Sequence, residues 1–399
     1  MEKKHILIIC QHFYPENFRI NDMAYEWVKR GYKVTAVTGT PNYPTGKYFP
    51  GYSWFKNTKE THNGVDIYRI PLIAPGHTKL GLVLNYYSFP FFGFWWQLFS
   101  RIKADEVFMF ETSPMHQCKV GVRFAKRHKI PCYLYVQDLW PENLEMITGI
   151  HSPIIIKPIE RMVRYIYKGC THLWGTSPSF VDAIRKYVDP SEHDKVSFWP
   201  QYAEEFYQPL PKKKHKGFNV IFTGNIGQAQ GLEILPLAAR KIREQGIKDI
   251  RFTIVGDGRA RKSFEESITE NGVWDMFEFA GRVTPQEVPA LLATGDAAFL
   301  SFADDELFAK TIPAKLQSYM ACAMPIIASA KGETARVIKE ADCGICSDIG
   351  DAEELACSIL AMSKLSEEKL AKLGNNALKY NKEHFDKKTL MDEMDTYLR

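Results

Sequence analysis

The sequence lacks low-complexity tracts and has little excess charge of either sign. Its 399 residues contain 51 Lys and Arg against 47 Asp and Glu, a formal net charge of +4. Nucleic-acid-binding domains concentrate a stronger basic excess on one face, so we expect no nucleic-acid partner. The chain is 45% hydrophobic and longer than the usual span of one core. We therefore predict a globular protein of two domains.

Metal-binding patterns are also lacking. The eight cysteines are scattered through apolar or helical contexts, and no secretory leader is evident, so a reducing cytoplasm is the expected compartment. Cys343 and Cys346 lack the second pair or the histidines of a zinc site, and we interpret them as small buried residues at a turn. There is no dense aspartate cluster to hold a divalent ion between phosphates. The sequence therefore predicts no metal and no cofactor.

One uncharged stretch raises the question of a membrane. Residues 82–99 read LVLNYYSFPFFGFWWQLF and are almost as long as a bilayer span. The proline, glycine and amide residues within them argue against a spanning helix. Two alternatives remain: a partly buried helix, or an amphipathic helix at a membrane interface, for which Trp95 and Trp96 are suited.

Short apolar runs alternate with amphipathic segments along the chain. Residues 5–10 predict a buried strand, 21–30 a helix and 33–38 a second strand, which together make a βαβ unit. The alternation stops at PLPKKKHKG, residues 209–217, and resumes at Phe218. We interpret these lysines as a solvated connection, with contact to lipid phosphate as the alternative. The prediction is an α/β chain with two Rossmann-like domains facing across a cleft: residues 1–205, a linker at 206–217, and residues 218–381, with a helix at about 382–399 packing back on the first domain.

The first chemical signal is FTGNIGQAQGLE, residues 222–233. Gly224, Gly227 and Gly231 fall between a predicted strand and a helix, where backbone amides and the helix N-terminus favour a diphosphate. The spacing differs from a dinucleotide fingerprint, and QHFYPENFR after the first strand contains no glycine. These features disfavour a hydride-transfer enzyme. A tight strand-to-helix turn without a ligand is the alternative.

Three later loops carry further signals. VGDGRARKSFEE places Asp257 where it caps a helix or accepts from a ligand hydroxyl, and AGRV places Arg282 after a strand. TIPAKLQSYM opens a helix at Pro313, with Lys315 and Ser318 on one face. A lysine in a first helical turn opposes the helix dipole, and a bound anion would relieve that cost. The alternative is an ordinary surface lysine.

The order of motifs resembles glycosyltransferase family 4 over nearly the whole chain. The matching segments are FYPENFRI, RGYKVTAVTGTPNYPTGKY, VQDLWPENL, GTSPSF, GNIGQAQGLE, GDG, AGRV and KLQSYMACAMPIIAS. The resemblance implies the two-domain glycosyltransferase B (GT-B) fold and a reaction that retains anomeric configuration without a metal. PNYPTG, QDLWPE, GNIGQAQGLE and TIPAKLQSYM are most similar to the branch that builds bacterial surface polysaccharides (capsule, O-antigen, exopolysaccharide), which includes fucosyl- and N-acetylfucosaminyl-transferases.

The resemblance also implies roles for individual residues. The second domain would bind the nucleotide sugar, through Gly224, Asn225, Gly227, Gln230, Arg282, Lys315, Ser318 and Glu333. The first domain would hold the acceptor, with Glu16 and Asn42 as binding residues and Asp138, His116 and Arg19 as catalytic residues. Two of these residues have structural alternatives. Asp138 would instead cap the turn before Pro141, and His116 would instead cap a helix.

The chain departs from the family pattern at the donor site. Two glutamates eight positions apart are common in the family, and here the positions read Lys310 and Ser318. The usual phosphate-loop lysine reads Gln230, so charge neutralisation would rest on Lys315 and Arg282. The nearest acidic residues to replace the glutamates are Glu306 and Glu333.

The resulting expectation is a hexosyltransferase that uses a nucleotide diphosphate sugar. UDP is the expected nucleotide, with GDP as the alternative, and the sugar is expected to be an N-acetylated amino or deoxy sugar. The expected acceptor is an undecaprenyl-diphosphate-linked saccharide, which would place the protein in the cytoplasm or peripherally on the inner face of the membrane. Two alternatives are a phosphorylase or hydrolysing epimerase of the same fold, and a catalytically weak scaffold subunit that binds lipid-linked saccharide.

Overall fold

The computed structural model of the chain describes residues 4–76, 78–213 and 215–398, except for the side chains of Lys79 and Ile147. The described chain forms two compact units. The first runs to Trp199 and includes the residues from Met394 onward, and the second is Pro200–Glu393.

The first unit contains an eight-stranded sheet in the order β3-β4-β2-β1-β5-β6-β7-β8, in which β3 pairs antiparallel with β4 and the other neighbours are parallel. Its strands are β1 His5–Ile9, β2 Lys33–Gly39, β3 Lys59–His62, β4 Val65–Ile70, β5 Glu106–Glu111, β6 Cys132–Val136, β7 His172–Gly175 and β8 Val196–Phe198. Its helices are α1 Arg19–Lys29, α2 Lys79–Phe99, α3 Cys118–His128, α4 Glu142–Thr148, α5 Pro153–Lys168 and α6 Pro178–Arg185, with 3₁₀ turns at Met115–Gln117 and Pro190–Lys195.

The second unit contains a six-stranded parallel sheet in the order β11-β10-β9-β12-β13-β14. Its strands are β9 Phe218–Thr223, β10 Ile250–Val255, β11 Phe277–Gly281, β12 Ala297–Ser301, β13 Ile326–Ser329 and β14 Gly344–Ser347. Its helices are α7 Ile234–Glu244, α8 Arg261–Glu270, α9 Val288–Leu292, α10 Glu306–Ala309, α11 Ala314–Ala321, α12 Glu333–Glu340, α13 Ala352–Ser363 and α14 Glu367–His384, with 3₁₀ turns at Gln228–Gln230, Trp274–Met276 and Pro285–Glu287. The last helix, α15, is Lys387–Tyr397.

Burial explains why the short apolar runs become central strands. Residues 6–9 of β1 are almost fully buried, as expected for a strand covered by helices on both faces. Helix α1 packs the apolar stripe that includes Met23 and Trp27 against the sheet, where the Trp27 ring lies 4.9 Å from that of Phe108. The prediction of two parallel α/β domains is confirmed.

The predicted linker lies within the second unit. The Lys213 amide donates to the Ala293 carbonyl at 3.0 Å, and the Lys212 ammonium donates to the Gly295 carbonyl and lies 3.4 Å from the Met324 sulfur. Burial lowers the pKa of Lys212. The ammonium group of Lys212 is therefore tied to the second unit while the residue as a whole stays exposed; Lys214 lies outside the described residues.

The end of α15 belongs to the first unit. The Asp395 carboxylate pairs with Arg30 at 3.1 Å, and the Tyr133 hydroxyl donates to the Tyr397 carbonyl at 2.7 Å. The preceding helix α14 packs on α11 in the second unit, where a side chain at Gly374 would meet the Ala323 carbonyl at 2.2 Å. The chain thus returns to the first sheet through one helix.

The aromatic stretch forms helix α2. Its buried positions include Asn85, Phe89 and Gln97, while Phe91, Trp95 and Phe99 are exposed. The inward-facing amides were not predicted, whereas both alternatives, a partly buried helix and a helix at a membrane interface, allow exposed aromatic rings. Within the described residues, no helix combines the length and the apolar character needed to cross a bilayer.

Candidate functional site

Two glycine-containing loops meet at the carboxyl edge of the second sheet. The Gly224 amide donates to the Val255 carbonyl at 2.9 Å, and the Ile226 amide donates to the Asp257 carbonyl at 3.0 Å. A Cβ at Gly256 would lie 1.9 Å from the Gly224 carbonyl oxygen, and one at Gly258 would lie 2.2 Å from that of Ile226. The loops after β9 and β10 therefore pack backbone against backbone, which requires glycine.

Lys315 reaches this loop pair from the first turn of α11. Its ammonium group donates to the side-chain oxygen of Gln230 and lies 4.8 Å from the centroid of the Phe222 ring. A Cβ at Gly224 would lie 3.1 Å from the Lys315 side chain, so the loop backbone closes over the lysine. Burial lowers the pKa of Lys315 to about 7, because the charged form loses water without gaining an anion. Lys315 is therefore half-buried and directed at the loop, and does not extend freely into solvent.

Other predicted donor residues lie around the same loop. Gln230 closes a 3₁₀ turn, and its carbonyl accepts from the Ser301 hydroxyl at 2.6 Å, which fixes the loop on β12. Asn225 is exposed beside Gly227 at the tip. The structure thus brings Gly224, Gln230 and Lys315 together, with Asn225 and Gly227 on the adjoining turn.

The remaining three predicted donor residues occupy neighbouring elements. The guanidinium of Arg282, after β11, donates to Asp257 at 3.2 Å. Ser318 is buried one turn after Lys315 and donates to the Ala314 carbonyl at 3.1 Å. Glu333 is buried in the first turn of α12 and pairs with Arg336 at 2.7 Å. Asp257 therefore orients Arg282 and does not cap α8, whose N-cap is Ala260.

The two acidic substitutes for the family glutamates differ in environment. Glu306 is 86% exposed and pairs with Lys331, which also binds Asp304. Glu333 follows Gly332, where a Cβ would lie 1.9 Å from the Ala309 carbonyl oxygen. The close approach of the Gly332 and Ala309 backbones holds the start of α12 against the end of α10. Glu333 is therefore held more firmly in place than Glu306.

Tyr319 supports the glycine loop, and the sequence analysis missed it. Its buried hydroxyl accepts from the Thr223 amide at 2.9 Å and donates to the Thr223 carbonyl at 3.2 Å. These bonds hold the last residue of β9 to the helix that carries Lys315. Its position four residues after Lys315, on the same helix face, was the available signal.

In the first unit, Asp138 and Glu111 lie together at the ends of β6 and β5. The Asp138 carboxylate accepts from the Ser113 amide at 2.6 Å, and Glu111 accepts from the amides of Gln137 and Asp138 at 3.2 and 3.1 Å. Burial raises the pKa of Asp138 and raises that of Glu111 well above its usual range, the nearby Asp138 adding to the latter. Asp138 thus fixes the loop after β5 and does not cap the turn before Pro141. Glu111 was not predicted, because within the strand it read as an ordinary polar residue.

His116 lies inside the 3₁₀ turn between β5 and α3. Its ring centroid is 4.9 Å from that of Tyr87 on α2 and 6.1 Å from that of Trp140, edge to face in both cases. Burial, with a smaller effect of Lys119, lowers the pKa of His116 to about 4. The imidazole is therefore neutral near pH 7, and its unprotonated ring nitrogen can accept a hydrogen bond. It does not cap a helix, since Pro114 is the N-cap of this turn.

Glu16 and Asn42 connect the loops that follow β1 and β2. The buried Glu16 carboxylate accepts from the amides of Asn42 and Tyr43 at 2.8 and 2.6 Å and contacts the His12 ring nitrogen at 3.0 Å. The Asn42 side chain donates to the Thr40 carbonyl at 2.9 Å. Both residues hold the loops in place, and their predicted contact with an acceptor stays a prediction.

Arg19 is the first residue of α1 and is half-buried. Its charge opposes the rise that burial causes in the pKa of the Tyr135 hydroxyl on β6. Arg19 therefore lies near the carboxyl edge of the same sheet as Asp138.

No group of three or more potential metal ligands occurs within the described residues. The thiols of Cys343 and Cys346 face the carbonyls of Ile338 and Ala330, and burial raises their pKa values to about 12 and about 11. Neither thiol is activated as a thiolate near neutral pH.

The residues of the glycine loops and α11 fall within a segment that matches a known family. The family model described as "Glycosyl transferases group 1" matches residues 204–380. The second unit is thus similar to group 1 glycosyltransferases over most of its length. The matched segment includes every predicted donor residue, from Gly224 to Glu333.

Curated relatives of the group 1 domain and its neighbouring segments are also glycosyltransferases. A 2-deoxystreptamine glucosyltransferase of Streptomyces kanamyceticus is 26% identical over 142 residues, 36% of each chain. WcaI of Escherichia coli K12, a putative colanic acid biosynthesis glycosyl transferase, is 24% identical over 68% of this chain and 69% of its own. AmsK of Erwinia amylovora, an amylovoran biosynthesis glycosyltransferase, is 24% identical over 44% of this chain and 43% of its own. The chain thus spans about a third of the first of these relatives.

Solved structures match the whole chain. Sucrose-phosphate synthase of Thermosynechococcus elongatus superposes with a TM-score of 0.74 at 14% identity, covering 99% of this chain and 98% of that one. HepE of Anabaena, solved with UDP and glucose, gives 0.67 at 16% identity and 99% coverage of both chains. At this identity the likeness shows the fold, which is GT-B.

Proposed function

We propose that this protein transfers a sugar from a nucleotide diphosphate sugar, UDP-linked, to a lipid-linked saccharide in the synthesis of a surface polysaccharide. The transfer retains anomeric configuration and needs no metal ion. The donor is held by the group 1 domain, and the acceptor by the loops of the first unit that carry Asp138 and His116. The sugar is an N-acetylated amino or deoxy sugar.

The environment of Lys315 is the observation that carries this proposal. Among the described residues no carboxylate forms an ion pair with its ammonium group, and burial alone lowers its pKa to about 7. A buried cation without a counter-ion costs free energy, and a bound diphosphate would supply the missing charge. The adjacent glycine loop allows backbone amides to approach phosphate oxygens. A diphosphate is therefore the ligand that this arrangement favours.

The same arrangement suits the chemistry of transfer. As the sugar–phosphate bond breaks, negative charge grows on the departing diphosphate, and a preorganised cation stabilises that charge. Lys315 would provide this stabilisation, with Arg282 as a second cation, in place of a divalent metal. The departing phosphate would take the acceptor's proton on the same face of the sugar, which is the proposed origin of retention. The neutral His116 and the buried Asp138 would orient the acceptor hydroxyl.

The comparisons support the choice of nucleotide and acceptor. HepE was solved with UDP and glucose, and WcaI and AmsK are named for colanic acid and amylovoran biosynthesis. A polysaccharide precursor carried on a polyprenyl diphosphate is the acceptor that fits such a role. GDP remains the alternative nucleotide to test, and a scaffold subunit that binds but does not turn over is the alternative function.

Thermal unfolding with the diphosphates of uridine, guanosine, thymidine and adenosine, each with and without magnesium, tests the donor site. A ligand that binds only the folded state raises the midpoint. We expect a magnesium-independent rise with UDP that is lost in Lys315→Ala. Lys339→Ala, which removes an exposed lysine from the same unit, is the control and should retain the rise. The absence of any shift with all four diphosphates would contradict the donor site.

A further inference from the structure

Helix α2 has an inverted distribution of polarity. In a helix on the surface of a water-soluble domain, apolar residues face the core and polar residues face water. In α2 the buried positions include the polar residues Asn85, Ser88 and Gln97 as well as Phe89, whereas nine large apolar side chains are exposed. The exposed set is Leu80, Leu82, Val83, Leu84, Tyr87, Phe91, Phe94, Trp95 and Phe99. We call this set the α2 apolar face.

The inward side of α2 is fixed by specific polar contacts. The Asn85 amide accepts from Gln11 at 3.0 Å and donates to the Ile73 carbonyl at 2.7 Å, and the Ser88 hydroxyl accepts from the Ile73 amide at 3.0 Å. A Cβ at Gly93 would lie 2.5 Å from a methyl group of Val120 on α3. Because these contacts set the rotation of the helix, the aromatic side chains cannot turn inward without losing them.

The apolar face is larger than isolated exposed residues would explain. The helix has 21 residues, a length of about 31 Å at the usual rise. The Trp95 ring stacks with Phe99 at 6.4 Å and meets Phe94 edge to face at 5.4 Å, so the rings form one continuous surface. Contiguous exposed apolar surface of this kind marks an interaction site. Trp and Phe suit the boundary between lipid headgroups and acyl chains.

A basic recess adjoins the carboxyl end of this face. The recess has a volume of about 730 Å³ and lies by the amino ends of β1 and β2, the edge of the first sheet opposite Asp138. Trp96 and Phe99 of α2 line it together with four exposed basic side chains, Lys33, Lys59, Arg101 and Lys103. Asp66 also lines the recess, where its carboxylate accepts from Thr61 at 2.9 Å. The positive charge therefore exceeds the negative charge directly beside the aromatic surface.

We propose that the α2 apolar face inserts into one leaflet of an anionic lipid bilayer and that the basic recess binds a lipid phosphate headgroup. The two features are continuous, since Phe99 belongs to both. Aromatic side chains would enter the headgroup boundary while Arg101 and Lys103 meet the phosphate layer, the combination that gives stable attachment of a peripheral helix. This inference rests on the proposed function for its purpose, which is to bring the protein to a lipid-linked acceptor. The binding itself requires no sugar transfer.

Sedimentation of the full chain with lipid vesicles tests this surface. We expect binding to vesicles of phosphatidylcholine with phosphatidylglycerol, and weaker, salt-insensitive binding to phosphatidylcholine alone. Trp95→Ser/Phe99→Ser should reduce the partition coefficient for both vesicles about tenfold, because interfacial anchors are lost. Arg101→Ser/Lys103→Ser should reduce binding to the anionic vesicles on the order of tenfold and weaken its salt dependence.

Matched substitutions away from the surface serve as controls. Phe55→Ser/Trp274→Ser removes two other exposed rings, and Lys262→Ser/Lys372→Ser removes two other exposed charges. Both should bind vesicles like the wild type, and all variants should keep the wild-type melting temperature, because the changed side chains are exposed. If the wild-type protein binds vesicles but transfers no sugar, the result contradicts the proposed function and does not contradict the bilayer proposal.

Three outcomes would overturn the bilayer proposal. The wild type does not bind vesicles, or the α2 variants bind as well as their controls. Alternatively, sedimentation equilibrium shows a dimer that Trp95→Ser/Phe99→Ser disperses, which would place a second copy of the chain on this face.

Discussion

The ammonium group of Lys315 lies 4.8 Å from the ring centroid of Phe222 and hydrogen-bonds to Gln230. An aromatic face and an amide oxygen stabilise a cation less than a carboxylate does, so the pKa of Lys315 falls to about 7. In the unliganded protein near pH 7, Lys315 is therefore present in both its charged and its neutral form.

This position predicts that nucleotide binding is coupled to proton uptake. A bound diphosphate favours the charged form and raises the pKa of Lys315, so above about pH 7 the protein must take up a proton to bind UDP. We expect UDP affinity to fall as pH rises above about 7, toward tenfold per pH unit. Calorimetric titrations in two buffers of different ionisation enthalpy measure the uptake directly. Lys315→Ala should bind more weakly and without this pH dependence, and equal wild-type affinity at pH values of about 7 and 9 would refute the coupling.

The contact between the glycine loops predicts an asymmetric pair of glycine substitutions. Gly256 has φ +135° and a Cβ there would lie 1.9 Å from the Gly224 carbonyl oxygen, whereas Gly272 has φ +66° and open space around it. Both Gly→Ala changes incur backbone strain, but only Gly256→Ala adds a steric overlap. Gly256→Ala should lower the free energy of unfolding by about 2 kcal/mol more than Gly272→Ala, as measured in urea. UDP binding should be lost in Gly256→Ala alone, and similar behaviour of the two variants would contradict the loop geometry.

Burial of His116 predicts an acid-sensitive term in stability. Its pKa is lowered from 6.5 to about 4 in the folded state, so between these values the unfolded chain binds more protons. The contribution of His116 to the free energy of unfolding is fully present above about pH 6.5 and is lost as pH falls toward about 4. The free energy of unfolding of His116→Gln should therefore fall by about 2 kcal/mol less than that of the wild type over this range. His172, also lowered to about 4, is common to both proteins and cancels in the comparison. Parallel pH profiles would show that His116 is not desolvated.

The close approach of α2 to α3 predicts coupling between Gly93 and Val120. A Cβ at Gly93 would lie 2.5 Å from a Val120 methyl, so Gly93→Ala overpacks the interface and Val120→Ala leaves a gap. In the double variant the new methyl occupies the vacated space. We expect it to be about 1 kcal/mol more stable than the sum of the single effects implies. Additivity in urea unfolding would mean that the helices are further apart.

Much of the fold was predictable because the strands are buried on both faces. The strands predicted at residues 5–10 and 33–38 agree to within one residue with His5–Ile9 and Lys33–Gly39, because a short continuous apolar run is typical of a buried strand. The linker was predicted from its prolines and lysines, and the structure assigns these residues to the second unit, where the Lys212 ammonium group donates to the Gly295 carbonyl. Proline and lysine composition alone does not report such a long-range contact.

The candidate site was predictable where backbone geometry selects the residue. Gly224 and Gly256 follow strands directly, so their positions were readable from sequence. Glu111 and Tyr319 were missed because their roles depend on hydrogen bonds to loops distant in sequence. The inverted polarity of α2 was also hidden, since the sequence shows that aromatics are present but not which side packs on α3.

Incubation of the purified protein with UDP-sugars and a polyprenyl-diphosphate-linked saccharide, followed by mass spectrometry of the acceptor, tests the central claim most directly. We expect the acceptor to gain the mass of one sugar and an equal amount of UDP to appear, without magnesium, with both products strongly reduced in Lys315→Ala and unaffected in Lys339→Ala. An acceptor that gains no mass with any UDP- or GDP-sugar, while UDP still binds, would contradict transfer and favour the scaffold function.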